Sequence, residues 1–309
     1  MQEIAQALAG LELGAPQVHR NLALYPLLGD DQSGSGYVLL DEALARGLAR
    51  VTEVSEGGSV PELAFENTSA ERILLVDGDE LVGAKQNRIV NLSILVGAGK
   101  RIVIPVACVE QGRWAWRSRE FRAAGRSLFA KARAMKMARV SESLRRGGSR
   151  STDQGEVWHF VAEKMAARRV HSATMAMADL YESSERSLAD YVRAFRAEPG
   201  QRGAVVALDG RVVGLELFDS AAAFARYLEK LVRSYALDAL ETANGKDLAP
   251  PEAEARAFLD RVRGAGTETF PALGEGEDIR LSGEGITGGA LVAEGRVVHL
   301  AGYALADEQ

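Results

Sequence analysis

The chain has 309 residues, 47% of them hydrophobic and 26% charged, enough for a large globular core and unlike a disordered or fibrous chain. Its apolar runs are far shorter than the roughly 20 residues of a membrane-spanning helix, and its start has no basic leader followed by a long apolar segment, so neither a membrane span nor a signal peptide is expected. A single cysteine cannot close an internal disulfide, and with no zinc-ligand spacing this points to a reducing, cytoplasmic setting.

The net charge of −6 is unevenly spread. From Arg113 to Arg150 there are 12 Lys and Arg against two Glu, which leaves a balance near −16 for the rest. An anionic surface, a phosphate-bearing ligand or an acidic patch of the same molecule could each answer that run.

In chain order, residues 3–11 set Ile4, Leu8 and Leu11 on one helical face. Residues 18–27 read as a strand with Pro26 near an edge, and 29–36 as a glycine-containing loop without a nucleotide fingerprint. A short strand at 37–39 leads to a helix capped by Asp41, and strands follow at 50–54 and 62–67. The central stretch reads as strands at 72–76, 80–85, 88–96 and 101–109, rich in Ile, Leu and Val. Residues 118–146 read as a basic helix, single or broken, with Phe121, Leu128, Met135, Ala138 and Leu144 facing inward. The polar run 147–153 is a linker between a β-rich first half and a more helical second half.

Helices are expected at about 155–170 and 185–197. The segment 204–215, broken by Asp209-Gly210, reads as a hairpin. Asp219 or Ser220 caps a helix that buries Phe224, Tyr227, Leu228, Leu231, Tyr235 and Leu240. Another helix spans 251–263 between Pro251 and Gly264, and the tail is strand, turn and strand. The Asp-Gly turns at 77–78 and 209–210 give a weak internal echo, which popular turn chemistry explains as well as duplication does. The fold class that follows is α+β. A β-rich N-terminal half, with antiparallel or mixed sheet, carries packed helices, and hairpins are added in the C-terminal half. It forms one large unit over 1–309, with lobes at 1–147 and 152–309.

Candidate chemistry concentrates in 76–114. Lys85, Gln86, Asn87 and Arg88 put two cations and two amides between apolar segments, donors suited to phosphate or carboxylate oxygens. Alternatively they guard an exposed strand edge with charge. Cys108 is a candidate nucleophile or a buried core residue. Glu110 is a candidate general base, or a clamp on Arg113, Lys85 or Arg88. Arg113 would bind an anion or fix Glu110. Trp114 and Trp116 would stack on a ring or wedge the basic helix onto the sheet. The carboxylates Asp79 and Glu80 have no metal-ligand spacing, so no metal is expected, and no cofactor can be named. The acidic total and sparse aromatics argue against nucleic acid as a partner of residues 113–150. A second copy of the chain is left open as a partner.

The run LLVDGDELVGAKQNRIVNLSILVGAGKRIVIPVACVEQGRW at 74–114 resembles the signature of the ARG-and-rhodanese-phosphatase-associated protein family of prokaryotes. The resemblance extends to Asn21–Leu27, Leu40–Ala43 and, more loosely, Gln154–Trp158, the turn at Asp209-Gly210 and Ser234–Ala236. Its specific parts are GAKQNR at 83–88 and CVEQGRW at 108–114. The family is named for association with ADP-ribosylglycohydrolases and rhodanese-type phosphatases. The resemblance therefore implies a place in ADP-ribose, NAD or related phosphoester chemistry, without assigning a reaction. Two functions are carried forward. One is a protein that binds, and could process, an ADP-ribose-like phosphate ligand through Lys85, Gln86, Asn87, Arg88, Arg113 and Trp114, with Glu110 and Cys108 as the catalytic candidates. The other is a non-catalytic interaction or structural module whose polar motif is an internal ion-pair network and whose basic helix docks a partner.

Overall fold

The computed structural model describes residues 2–30, 36–243 and 246–305. Residues 31–35 of the expected 29–36 loop lie outside the described residues. The described chain is α+β. It begins with α1 (Gln2–Ala9), β1 (Glu12–Leu13), β2 (Gln17–His19) and β3 (Leu22–Leu28). Then come β4 (Tyr37–Leu39), α2 (Leu40–Ala45), β5 (Ala49–Glu53), β6 (Glu62–Asn67) and β7 (Arg72–Leu75). The motif region holds β8 (Asp79–Gly83), β9 (Arg88–Val90), β10 (Ile94–Val96) and β11 (Arg101–Cys108), followed by β12 (Phe121–Ser127). Helices α3 (Ala130–Arg145), α4 (Gln154–Arg168), α5 (Met177–Ser183) and α6 (Glu185–Ala194) follow. The remainder is β13 (Gln201–Leu208), β14 (Arg211–Phe218), α7 (Ala221–Thr242), α8 (Glu252–Gly264), β15 (Gly266–Pro271), β16 (Glu277–Gly283), β17 (Ile286–Ala293) and β18 (Arg296–Ala304).

The chain forms two compact units. The first comprises 1–35, 187–272 and 276–309, and its frame is a nine-stranded antiparallel sheet in the order β1-β3-β13-β14-β18-β17-β16-β15, with β2 also on β3. The β13–β14 hairpin forms as its sequence indicates. Asp209 and Gly210 take φ of 50° and 73°, the doubly left-handed turn that matches strand twist. Ser220, rather than Asp219, caps α7, accepting from the Ala223 N–H, and Phe224, Tyr227, Leu228, Leu231 and Tyr235 are buried as expected.

The second unit comprises 36–186 and 273–275. It holds a six-stranded sheet, β12-β8-β9-β11-β6-β5, and a three-stranded one, β10-β7-β4, in which β4 runs parallel to β7. Val51, Leu63, Phe65, Leu81, Val90, Ile104 and Phe121 belong to one buried cluster between them. The polar run 147–153 lies inside this unit, between α3 and α4.

Three local expectations are corrected. The 88–96 stretch is two strands in two sheets, parted at Asn91–Ser93, because β9 pairs with β8 and β11 while β10 pairs with β7. The basic helix does not start at 118. Residues 121–127 pair with β8 as β12, with Gly125 at φ +65°, so sheet pairing overrides the helical preference of Ala and Arg. Helix α5 was not expected: it is seven residues long and its N-cap, Ala176, makes no side-chain cap bond.

The inward stripe of α3 also differs. Its buried face includes Arg133 and Lys136, while Met135 and Ala138 are only half-buried. The cause is a carboxylate beneath the helix. Asp77 accepts from the Lys136 ammonium, which also donates to the Asn91 carbonyl at 2.7 Å, and the Arg133 Nε lies 3.9 Å from the second Asp77 oxygen. Asp77→Ala would strip the anion from these two buried cations and is expected to cost about 3–5 kcal/mol in urea unfolding. Glu42→Ala, which breaks the exposed pair with Arg46, should leave the urea midpoint close to that of the wild type.

Candidate functional site

The GAKQNR segment is the connection between β8 and β9. Gly83 closes β8 at φ +140°, and a Cβ there would fall 2.8 Å from the Glu120 carbonyl oxygen, so glycine is needed both for conformation and for space. Arg88 then enters β9 with Leu81 opposite on one side and Cys108 on the other. The CVEQGRW segment leaves β11 and meets the chain before α5. The Glu110–Ala176 bridge, the Met177 N–H on the Val109 carbonyl and the Gly112 N–H on the Thr174 carbonyl hold it there. A Cβ on Gly112 would lie 2.9 Å from the Thr174 Cα, which forbids a side chain at this crossing.

Lys85, Gln86, Asn87, Arg88, Cys108, Glu110 and Arg113 are buried, Gln111 and Trp114 are exposed, and Glu110, at 0% exposure, is the centre of the buried set. One Glu110 oxygen accepts from the Asn87 backbone N–H at 3.1 Å and from the Arg113 guanidinium at 2.7 Å. The other accepts from the Thr174 hydroxyl at 3.0 Å, with the Arg117 guanidinium 3.7 Å away. Burial pushes the Glu110 carboxyl up, but Arg113, the Asn87 N–H and Thr174 together outweigh it and hold the group below its ordinary 4.5.

Arg113 has further acceptors in the Ala84, Ala115 and Gly83 carbonyls and the Asn87 side-chain oxygen. Gln86 donates to the Glu110 carbonyl at 2.9 Å and accepts from Arg88 at 3.0 Å, while Arg88 also donates to the Val60 carbonyl at 3.2 Å. One Arg88 nitrogen, Nη2, has no hydrogen-bond partner among the described residues. Burial pushes that guanidinium below its ordinary range, opposed by Cys108 and Glu53. Burial likewise pushes the Cys108 thiol up, against the thiolate a nucleophile needs. Gln154, at the start of α4, clamps the Cys108 backbone by accepting from its N–H and donating to its carbonyl, both at 2.8 Å.

The motif thus brings Gln86, Asn87, Arg88, Cys108, Glu110 and Arg113 together as one buried network, and it sends Trp114 outward with the Lys85 ammonium beside it. Trp114 and Trp116 are 46% and 44% exposed. The Lys85 ammonium lies 5.3 and 5.1 Å from their ring centres while donating to the Gly57 carbonyl, and Arg119 sits over Trp116 at 5.5 Å. Two cavities, of about 160 and about 450 Å³, are lined by other residues. Thr174, Glu53, which accepts from the Lys85 N–H, and Gly57 were not identified from sequence. They lie far along the chain in segments without any distinguishing pattern.

A sequence model of the ARG and Rhodanese-Phosphatase-superfamily-associated Protein domain matches residues 10–303, nearly the whole chain. Comparison with curated proteins and with solved structures finds no match. No helix among the described residues is long and apolar enough to cross a membrane.

Because the folded Glu110 pKa is depressed, its stabilisation is complete above the unfolded value and is lost as pH falls from 4.5 toward the lowered folded value. Unfolding of the wild type and Glu110→Gln, compared from pH 7 to pH 3, should show a stability gap at neutral pH that narrows across that acid range. Glu110→Ala, which leaves Arg113 buried without its carboxylate, should cost about 3–5 kcal/mol at pH 7.

Proposed function

The chain belongs to the ARG and Rhodanese-Phosphatase-superfamily-associated Protein domain family, and from that membership we propose that it is a binding module for a phosphate-bearing small molecule of the ADP-ribose type. The buried motif is its architecture, not its catalytic machinery. Glu110 has protein donors on both oxygens and no solvent access, and burial pushes the Cys108 thiol up, away from the thiolate, so neither is poised for proton transfer or attack.

The observation that carries this reading is the pair of half-exposed indoles, Trp114 and Trp116, held apart from the core by that network and interleaved with Lys85, Arg117 and Arg119. Large aromatic faces exposed beside cations suit a ligand that combines a flat ring with negative charge. A purine would stack on an indole and a diphosphate would meet the arginines. Docking of a partner through the basic segment is less well supported. Lys131 pairs with Glu163, Arg139 with Glu156 and Arg146 with Glu142, and Lys136 is buried on Asp77.

Calorimetry and tryptophan fluorescence with ADP-ribose at low salt test the proposal. Saturable binding should quench the indoles and weaken about tenfold or more in a Trp114→Ala/Trp116→Ala variant, as the loss of a stacked base implies. No heat, or binding unchanged in the double variant, would overturn it.

A further inference from the structure

The six-stranded sheet ends at β5 on one side and β12 on the other. Between these edge strands and α2 lies a cavity of about 450 Å³, within the range of small-molecule sites. Its floor includes Leu44, Ala49 and Phe121, the latter two 5% and 4% exposed, and its rim carries Arg50, Arg122, Asp41 and Glu120. No residue of the buried motif lines it.

The register of the sheet sets Arg50 in a wider pattern of charge. Arg50 on β5 sits opposite Glu66 on β6, and Glu66 sits opposite Arg101 on β11. Charge therefore alternates across three neighbouring strands, the pattern that stabilises cross-strand pairs. Beyond Arg50 the ladder stops, and a second cation, Arg122 of β12, lines the same cavity. Both arginines are exposed, and among the described residues neither has a carboxylate within ion-pair distance or a side-chain hydrogen bond. Asp41 and Glu120 line the same cavity, yet among the described residues neither forms an ion pair with Arg50 or Arg122, so the two guanidiniums keep their donors for an incoming oxyanion.

We infer that this cavity is a second ligand site, taking a small organic acid whose oxyanion lies between Arg50 and Arg122. Two guanidiniums offer the forked donors that carboxylate and phosphate oxygens prefer. The apolar body of the ligand rests on Leu44, Ala49 and Phe121, and burying it drives entry as burial of any apolar surface does. Glu120 and Asp41 at the rim exclude an anion without such a body, since two carboxylates offset the two arginines. Glu120 also accepts a hydroxyl or amine hydrogen from a ligand that carries one. The site therefore discriminates by shape and charge together, and inorganic phosphate alone is a poor occupant.

Titration calorimetry of the full chain with phenyl phosphate and with benzoate tests the inference, and the tighter of the two identifies the oxyanion. One of them should bind saturably at one site per chain, while phenol and inorganic phosphate bind far more weakly. Arg50→Ala and Arg122→Ala should each weaken binding roughly tenfold, the expected loss of one charge-assisted hydrogen bond. Their thermal midpoints should match the wild type, since both side chains are exposed. The Trp114→Ala/Trp116→Ala variant should bind these probes unchanged, which separates this site from the indole face. No saturable binding by either acid, equal binding of phenol, or affinity indifferent to both arginines would overturn the assignment. So would loss of binding in the tryptophan variant.

Discussion

A fully buried carboxylate, Glu110, is the constraint to which the polar motif answers. An ion removed from water costs several kcal/mol unless nearly every lone pair is met, and a half-satisfied buried ion is worse than an apolar side chain in its place. Asn87, Arg113 and Thr174 meet Glu110 from three separate segments, and Arg113 then requires the carbonyls of Gly83, Ala84 and Ala115 for its remaining donors. Each requirement fixes another stretch of backbone. The β8–β9 connection, the exit from β11 and the approach to α5 are therefore one cooperative object rather than three loops.

The same device recurs in this unit. Asp77 sits under Lys136 and Arg133, and the fully buried Glu80 pairs with Arg126. Burial raises the Glu80 carboxyl despite Arg126, the opposite outcome to Glu110, which has a fuller set of donors. The excess of cations between Arg113 and Arg150 is largely explained by these pairs. Arg113, Arg126, Arg133 and Lys136 answer buried carboxylates, and several of the others answer Glu142, Glu156 and Glu163 on helix surfaces. A local charge imbalance in a sequence thus resolves partly into contacts with neighbouring acids, Glu110 and Glu142, and partly into contacts with acids farther along the chain, Asp77, Glu80, Glu156 and Glu163.

Legibility followed the range of the signal. The β13–β14 hairpin, α7 and α8 were readable because a turn dipeptide, a capping hydroxyl and a helical apolar stripe each lie within a few residues of what they specify. One boundary moved: Pro251 precedes α8 instead of opening it. By contrast, β12 is a strand because β8 needs a neighbour, and the break at Asn91–Ser93 exists because β10 pairs with β7. Neither partner is visible locally. The motif was recognisable as a concentration of polar groups among apolar strands, yet its burial was not. A lysine or arginine reads the same whether it faces water, a ligand or a carboxylate, and Thr174, Gln154 and Glu53 carry no mark of their role.

The segment 114–120 is exposed throughout and touches the network through the Ala115 carbonyl, which accepts from Arg113, and the Arg117 guanidinium, 3.7 Å from Glu110. It is pinned at one end by Arg113 and at the other by the pairing of Phe121 with Gly83. A short span fixed at both ends has little conformational freedom to lose when it meets a ligand, and lost freedom is a large part of the cost of binding. Trp114 and Trp116 emerge from the start of this span, and Arg122 follows directly after it on the rim of the 450 Å³ cavity. Both proposed recognition surfaces therefore depend on the same interior ion pair without sharing a contact residue. Weakening Glu110 or Arg113 would loosen both together, whereas a surface substitution at either would leave the other intact.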